Sequence, residues 1–274
     1  MPHRDLIDVL ARAWPALLSY DAARNVGVVC GVFLTILIVL RLTSWRTRIQ
    51  AIAPRAADYA REIGYSLQTG LVFVLVGFGT FLGAEQGVFS IVAAGPGDRA
   101  LPLIGGSLAL IIAHDAYFYW THRLMHHRRL FRFFHLGHHR SLRPTPLAAY
   151  AFAWPEAIVQ ALFLPLMASL MPVHATALFV FLTFMIVRNV VGHAGVELYP
   201  RWFGLNPLTA WITTTTHHDL HHERSGANYA LYFRWWDRWM GTEHPDYLAR
   251  FERATAGRSG GRRGTRTADV HHEA

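Results

Sequence analysis

His122-Arg-Leu-Met-His126-His127-Arg-Arg-Leu-Phe-Arg-Phe-Phe-His135-Leu-Gly-His138-His139 is a dense run of histidine and arginine set between long apolar blocks. Residues 102–121 lead into it without interruption, and after the polar segment 122–145 the apolar sequence resumes over 148–171 and 174–196. Met171-Pro172-Val173 turns these two blocks into a hairpin, which Pro165 and Arg188 interrupt. Upstream, residues 66–94 read as a span that pairs with 102–121, and 25–42 as a first span. The loop 43–65 between them carries Arg46, Arg48, Arg55 and Arg61 and so belongs on the cytoplasmic side. From that loop, four crossings in two hairpins return the chain to the same side, where His217-His218-Asp219-Leu220-His221-His222 follows. The fold expected is all-α and polytopic, with about four transmembrane helices and a cytoplasmic helical cap carrying both His clusters.

Composition agrees. Hydrophobic residues make up 52% of the 274 and charged residues 16%, against about 25% charged in a soluble domain. The net charge of +8 does not indicate nucleic acid, because the arginines flank the apolar blocks or lie in the tail, as lipid headgroups require. Cys30 is the single cysteine, so neither an intrachain disulfide nor a cysteine-based zinc site is available. Residues 5–19 suit an interfacial segment, and no cleavable signal is evident. Three regions are expected: an N-terminal segment with two spans over 1–100, a catalytic region over 101–248 and a disordered basic tail over 249–274.

Helical neighbours at i, i+3 and i+4 share a face. His122 and His126 have that relation, as do His135, His138 and His139, and again His218, His221 and His222. Each group is expected to aim its imidazoles at one point, and neutral imidazole is a ligand for iron, zinc and copper. Thr216 with Asp219 resembles a capping box and Gly226 a stop, which predicts a short helix over 217–225. Asn189 and His193 form a further i, i+4 pair near the end of the last span, where a polar pair is costly unless partnered and so is a functional candidate. Asp115, seven residues before His122, is a candidate for orienting an imidazole. His217 and His127 are set aside in favour of the triplets. Haem binding predicts His pairs within the spans, and metal transport predicts polar residues along them. The histidines stand instead at the span ends, in triplets.

Asp115…Tyr119-Trp120-x-His122-Arg123-x-x-His126, His135-x-x-His138-His139, Asn189-x-x-x-His193 and His218-x-x-His221-His222 together resemble the integral-membrane fatty acid hydroxylase and sterol desaturase superfamily. Asn228-Tyr229 and Trp236-Asp237-Arg238-x-x-Gly241-Thr242 add to the likeness, which covers roughly 100–245. The resemblance implies two iron ions, O2 as co-substrate and attack on an unactivated C–H bond of a membrane lipid. It implies His122, His126, His135, His138, His139, His193, His218, His221 and His222 as ligands, with Asn189 at a position where relatives carry another His or an Asn. Zinc, which outranks Fe²⁺ in affinity, is a possible substitute in purified samples. No dinucleotide, haem or ferredoxin motif is present, so electrons are expected from a separate ferredoxin- or cytochrome b5-type donor with its reductase. Hydroxylation and desaturation share this signature. Trp120, Phe133, Phe134, Trp154 and Trp211 are candidates for guiding the lipid, and a bacterial inner membrane is the expected location.

Overall fold

The structure is a computed structural model that describes residues 48–93, 95 and 99–256, together with 31, 34 and 38. The expected first span over 25–42 (apart from those three residues), the interfacial segment 5–19 and the tail from 257 lie outside the described residues. What is described is mostly helical.

Three helices are long and apolar enough to cross a membrane: α1 (Ala56–Glu85), α2 (Ala100–Met125) and α7 (Ala175–Gly192). α1 begins ten residues earlier than the expected span at 66 and ends at Glu85. The polar residues that made 56–65 read as loop have partners across the molecule. Glu62 accepts from the Thr145 hydroxyl, Arg61 donates to the Arg140 carbonyl and Ser66 to the Leu147 carbonyl. Asp58 accepts from the Arg55 amide, which satisfies a donor that helix geometry leaves free.

The expected span 148–171 differs. A 3-10 turn over Pro146–Tyr150 precedes two eight-residue helices, α5 (Trp154–Ala161) and α6 (Phe163–Leu170). Pro165 accounts for the break: its ring clashes with the carbonyl four residues back, here Ala161, where α5 ends. The described residues thus hold three helices of spanning length, with this broken pair in place of a fourth. Beside it, Ile91–Val92 (β1) pairs in parallel with Val173–His174 (β2), a two-residue ladder absent from the all-α expectation.

α2 packs along α7, and α1 against α5 and the 3-10 turn. Leu110, Phe163, Met167 and Phe181 form one buried cluster, and Tyr150, Phe152, Ile186 and Val190 another. Beyond the C-terminal ends of α2 and α7 lies a cap of short helices: α3 (Phe131–Phe134), α4 (Leu136–His139), α8 (Arg201–Leu205), α9 (Thr215–Arg224), α10 (Trp235–Trp239) and α11 (Tyr247–Ala256). α11 occupies the start of the stretch expected as tail and buries Tyr247 and Phe251 against Leu220 of α9.

Candidate metal centre

Nine histidines converge beneath the cap in two groups. His122, His126, His135, His139 and His221 form one; His138, His193, His218 and His222 form the other, and in each the candidate ligand atoms lie within 4.8 Å of one another. All but His126 are buried. The groups adjoin through His139 and His222, whose rings are stacked with centroids 5.0 Å apart.

The grouping corrects the expectation that each triplet serves one point. At 100° per residue, i and i+4 are about 40° apart and i+3 lies about 60° to the other side. His135 and His139 therefore stay together while His138 turns to the second group. His218 and His222 likewise stay together while His221 turns to the first. The 135–139 segment is also not one helix, since His135 joins α3 to α4 with φ −120°. Gly137 lets α4 approach α5, because a Cβ there would stand 3.2 Å from the Ala153 methyl.

Ring orientation is set from behind. His122 Nδ1 lies 2.7 Å from the Tyr229 carbonyl, His221 Nδ1 2.6 Å from that of Ala227, and His193 Nδ1 2.8 Å from that of Asn189. A carbonyl only accepts, so each Nδ1 carries the proton and each Nε2 presents a lone pair. Glu156 stands behind His135, with Oε1 2.7 Å from Nδ1 and both groups buried, a close contact without hydrogen-bond geometry. The Nε2 atoms then face one another: His122 Nε2 is 2.9 Å from His135 Nε2, and His193 Nε2 is 3.0 Å from that of His218 and 3.2 Å from that of His222. Opposed lone pairs repel unless a cation lies between them. Nitrogens at right angles on a sphere with the usual metal–imidazole radius of about 2.1 Å would be about 3.0 Å apart. Both clusters are thus able to bind metal.

Protons do not compete for these nitrogens near neutrality. Burial holds His193 and His221 down to about 4, and burial followed by neighbouring imidazoles holds His135, His138, His139, His218 and His222 well below the ordinary value.

Asn189 and Asp115, the two candidate catalytic residues besides the histidines, offer their side chains to neither group. The Asn189 amide donates to the Ala149 carbonyl at 2.6 Å, and its contact with His193 is through its backbone. Asp115 touches no imidazole. It accepts from the Tyr232 amide at 3.0 Å, the Phe233 amide at 3.3 Å and the Trp235 indole at 2.9 Å. Asp237 accepts from the Tyr229 and Ala230 amides and the Thr242 hydroxyl. These carboxylates fix the 227–235 backbone, and its carbonyls at 227 and 229 orient His221 and His122. His217 packs on Tyr247 and lies 3.6 Å from Asp237, outside both groups.

Sequence reasoning missed Glu156, although an acid within an apolar block was its signal, and Glu197. Glu197 is buried, and its carboxylate accepts from the Thr216 amide at 2.8 Å, at the N-terminus of the helix that carries three of the nine histidines. Thr214 rather than Thr216 is the cap residue of that helix, Asp219 accepts from Gln50, and the left-handed residue at its end is Ser225 rather than Gly226.

An apolar cavity of about 440 Å³ lies between α1, α2, α6 and α7. Three of its lining residues touch the centre: Phe118 meets the His122 ring at 4.9 Å, Phe152 the His138 ring at 5.2 Å, and the Asn189 carbonyl accepts from His193 Nδ1 at 2.8 Å. The aromatics expected to guide a lipid are not among its walls, and Trp120, Phe133, Trp154 and Trp211 are exposed at the surface.

Residues 107–242 match the family model of fatty acid hydroxylases. Curated relatives include methylsterol monooxygenase 1 of Rattus norvegicus, 31% identical over 50% of this chain and 45% of its own length. A Delta(7)-sterol 5(6)-desaturase of Gibberella zeae is 31% identical over 50% of this chain and 41% of its own. A very-long-chain aldehyde decarbonylase of Oryza sativa subsp. japonica is 28% identical over 59% of this chain and 28% of its own. The chain thus spans less than half the length of these relatives. No solved structure matches it significantly.

Proposed function

We propose, for a chain that belongs to the fatty acid hydroxylase superfamily, that this protein is a membrane-bound di-iron oxygenase hydroxylating an unactivated C–H bond of a lipid. The observation that carries the reading is the pair of histidine groups, five and four strong, with lone pairs turned inward at the end of an apolar cavity. His122, His126, His135, His139 and His221 would hold one ion, and His138, His193, His218 and His222 the other. The two irons, when bound, supply the activation of O2, one atom of which enters the C–H bond while the other leaves as water with two electrons and two protons.

The chain's own residues do the rest. The carbonyls of Asn189, Ala227 and Tyr229 lock three of the imidazoles, so that these need no reorientation on metal binding. Phe118 and Phe152 close the cavity against the His rings, so a chain lying in it is presented to the centre with water excluded. Asp115 and Asp237 are positioning residues that act through the 227–235 backbone. Asn189 serves through its carbonyl. The electrons come from a separate ferredoxin- or cytochrome b5-type partner, and the arginines of the 43–65 segment favour a cytoplasmic side for the centre.

Desaturation by the same centre is the second reading, favoured by the likeness to the Gibberella zeae desaturase. Anaerobic iron loading followed by metal analysis should give two ions per chain, and a single ion overturns the di-iron reading. Lipid mass spectrometry of expressing cells separates the products: a gain of one oxygen supports hydroxylation, and a loss of two hydrogens supports desaturation.

A further inference from the structure

Eight residues before His122, His114 stands within the apolar cavity wall. It is 3% exposed and lies among the rings of Phe118, Phe163, Phe181 and Tyr232. Its Nδ1 is 3.0 Å from the Tyr232 hydroxyl. That hydroxyl has no other hydrogen-bond partner among the described residues, so its hydrogen points to Nδ1, and the ring's own proton is on Nε2. Nε2 has no partner among the described residues and belongs to a side chain that lines the cavity. A second donor in the same wall is also unmatched: the buried Nε2 of Gln160 has no hydrogen-bond partner among the described residues. Of the other polar side chains in the wall, Thr80 is satisfied by the Val76 carbonyl and Asn189 by that of Ala149, and Tyr150 adds a hydroxyl.

Unmatched donors in an apolar wall are costly unless a ligand meets them. Both are N–H groups, so what meets them is an acceptor oxygen. No arginine or lysine lines the cavity, so a carboxylate would enter without a counter-charge, which disfavours it strongly. Eight residues of helix at 1.5 Å each place this donor about 12 Å along α2 from His122.

We propose that His114, supported by Gln160, is a polar subsite that receives an uncharged oxygen, a hydroxyl or a carbonyl, carried by the lipid about 12 Å from the carbon presented to the histidine groups. The substrate class is then an oxygen-bearing lipid rather than a plain hydrocarbon chain or a free fatty acid. The carbon presented to the histidine groups rests on the oxygenase reading, while the subsite itself rests on the cavity alone.

Equilibrium binding of radiolabelled hexadecanol and hexadecane tests it. The full chain is iron-loaded, held without oxygen in lipid nanodiscs, and compared with protein-free nanodiscs to remove partitioning. The wild type should prefer the alcohol by about tenfold, the worth of one buried hydrogen bond. H114F should bring the ratio within about twofold of the protein-free value while hexadecane binding is kept. Gln160→Leu, at a half-buried position, should lower the ratio as well and covers the case in which H114F fails to fold. Equal binding of the two chains by the wild type overturns the proposal, as does a ratio that survives in either folded variant. Admitting oxygen and an electron source to the same samples reports on the oxygenase reading separately. Absence of oxidised product there leaves the binding preference, and so the subsite, in place.

Discussion

At the scale of single residues, the site is decided by which imidazole nitrogen carries the proton. Three backbone carbonyls settle it for His122, His221 and His193. The grouping then predicts what single substitutions do. His221→Ala removes a member of the five-histidine group and His138→Ala a member of the four-histidine group. Each should abolish turnover and lower the metal content after loading toward one ion per chain, with the protein still in the membrane. Full turnover or two ions in either variant removes that residue from the centre. The same burial makes the metal-free protein sensitive to acid. His193 and His221 titrate at about 4 when folded, against 6.5 when unfolded. Between those values the unfolded chain binds more protons, so stability falls as pH is lowered from about 6.5 toward 4. At 2.5 pH units each (6.5 minus 4) the loss is about 3 kcal/mol per ring, as an order of magnitude. Thermal unfolding of metal-free protein at pH 7 and pH 4.5 should show it, and equal midpoints would contradict it.

At the scale of elements, α9 has a demanding task, since it is ten residues long and carries His218, His221 and His222. A helix this short is marginal alone. Its N-terminus is held by the Thr214 hydroxyl and by Glu197, which accepts from the Thr216 amide. Glu197→Ala should cost about 1–2 kcal/mol through the lost cap and helix-dipole contact. The protein should melt a few degrees lower and hold metal more weakly, and metal affinity equal to wild type would show that the cap does not reach the site. Here the limits of the sequence become physical. The spacing of His122, His126, His218 and His222 was legible because i, i+4 partners share a face. The crossing of His138 and His221 to the opposite group was not, because a helical period says which residues diverge but not what each then meets. Glu197 and Glu156 act across 19 and 21 residues of intervening chain, distances at which spacing carries no information. The break at Leu162 was half visible, since Pro165 announced it, while the helical stretch 56–65 was masked by polar residues whose partners lie 79 to 83 residues away.

At the scale of the whole molecule, the surface bears on how a lipid would reach the centre. Ile63, Leu67, Leu71 and Leu75 of α1 repeat every fourth residue, and all are exposed. Leu101, Ile104, Leu108 and Ile112 form a similar stripe on α2. An apolar face of this extent is untenable in water and matches a bilayer's hydrocarbon. The cavity lies between these same helices, with Phe73, Val76 and Phe81 of α1 among its walls, so the proposed lipid would enter from the bilayer that the stripes face. Leu71, exposed near the middle of α1, provides the test. An arginine there meets hydrocarbon at depth and should disfavour insertion by about 2.5–3.5 kcal/mol. Leu248 of α11 is also exposed but belongs to the cap, where an arginine meets water or headgroups and should change little. Membrane fractionation of Leu71→Arg and Leu248→Arg side by side should show a loss of inserted protein for the first alone, because the cost depends on depth and not on exposure. If both variants insert equally well, α1 does not face lipid at that level, and entry to the cavity from the bilayer past that helix falls with it.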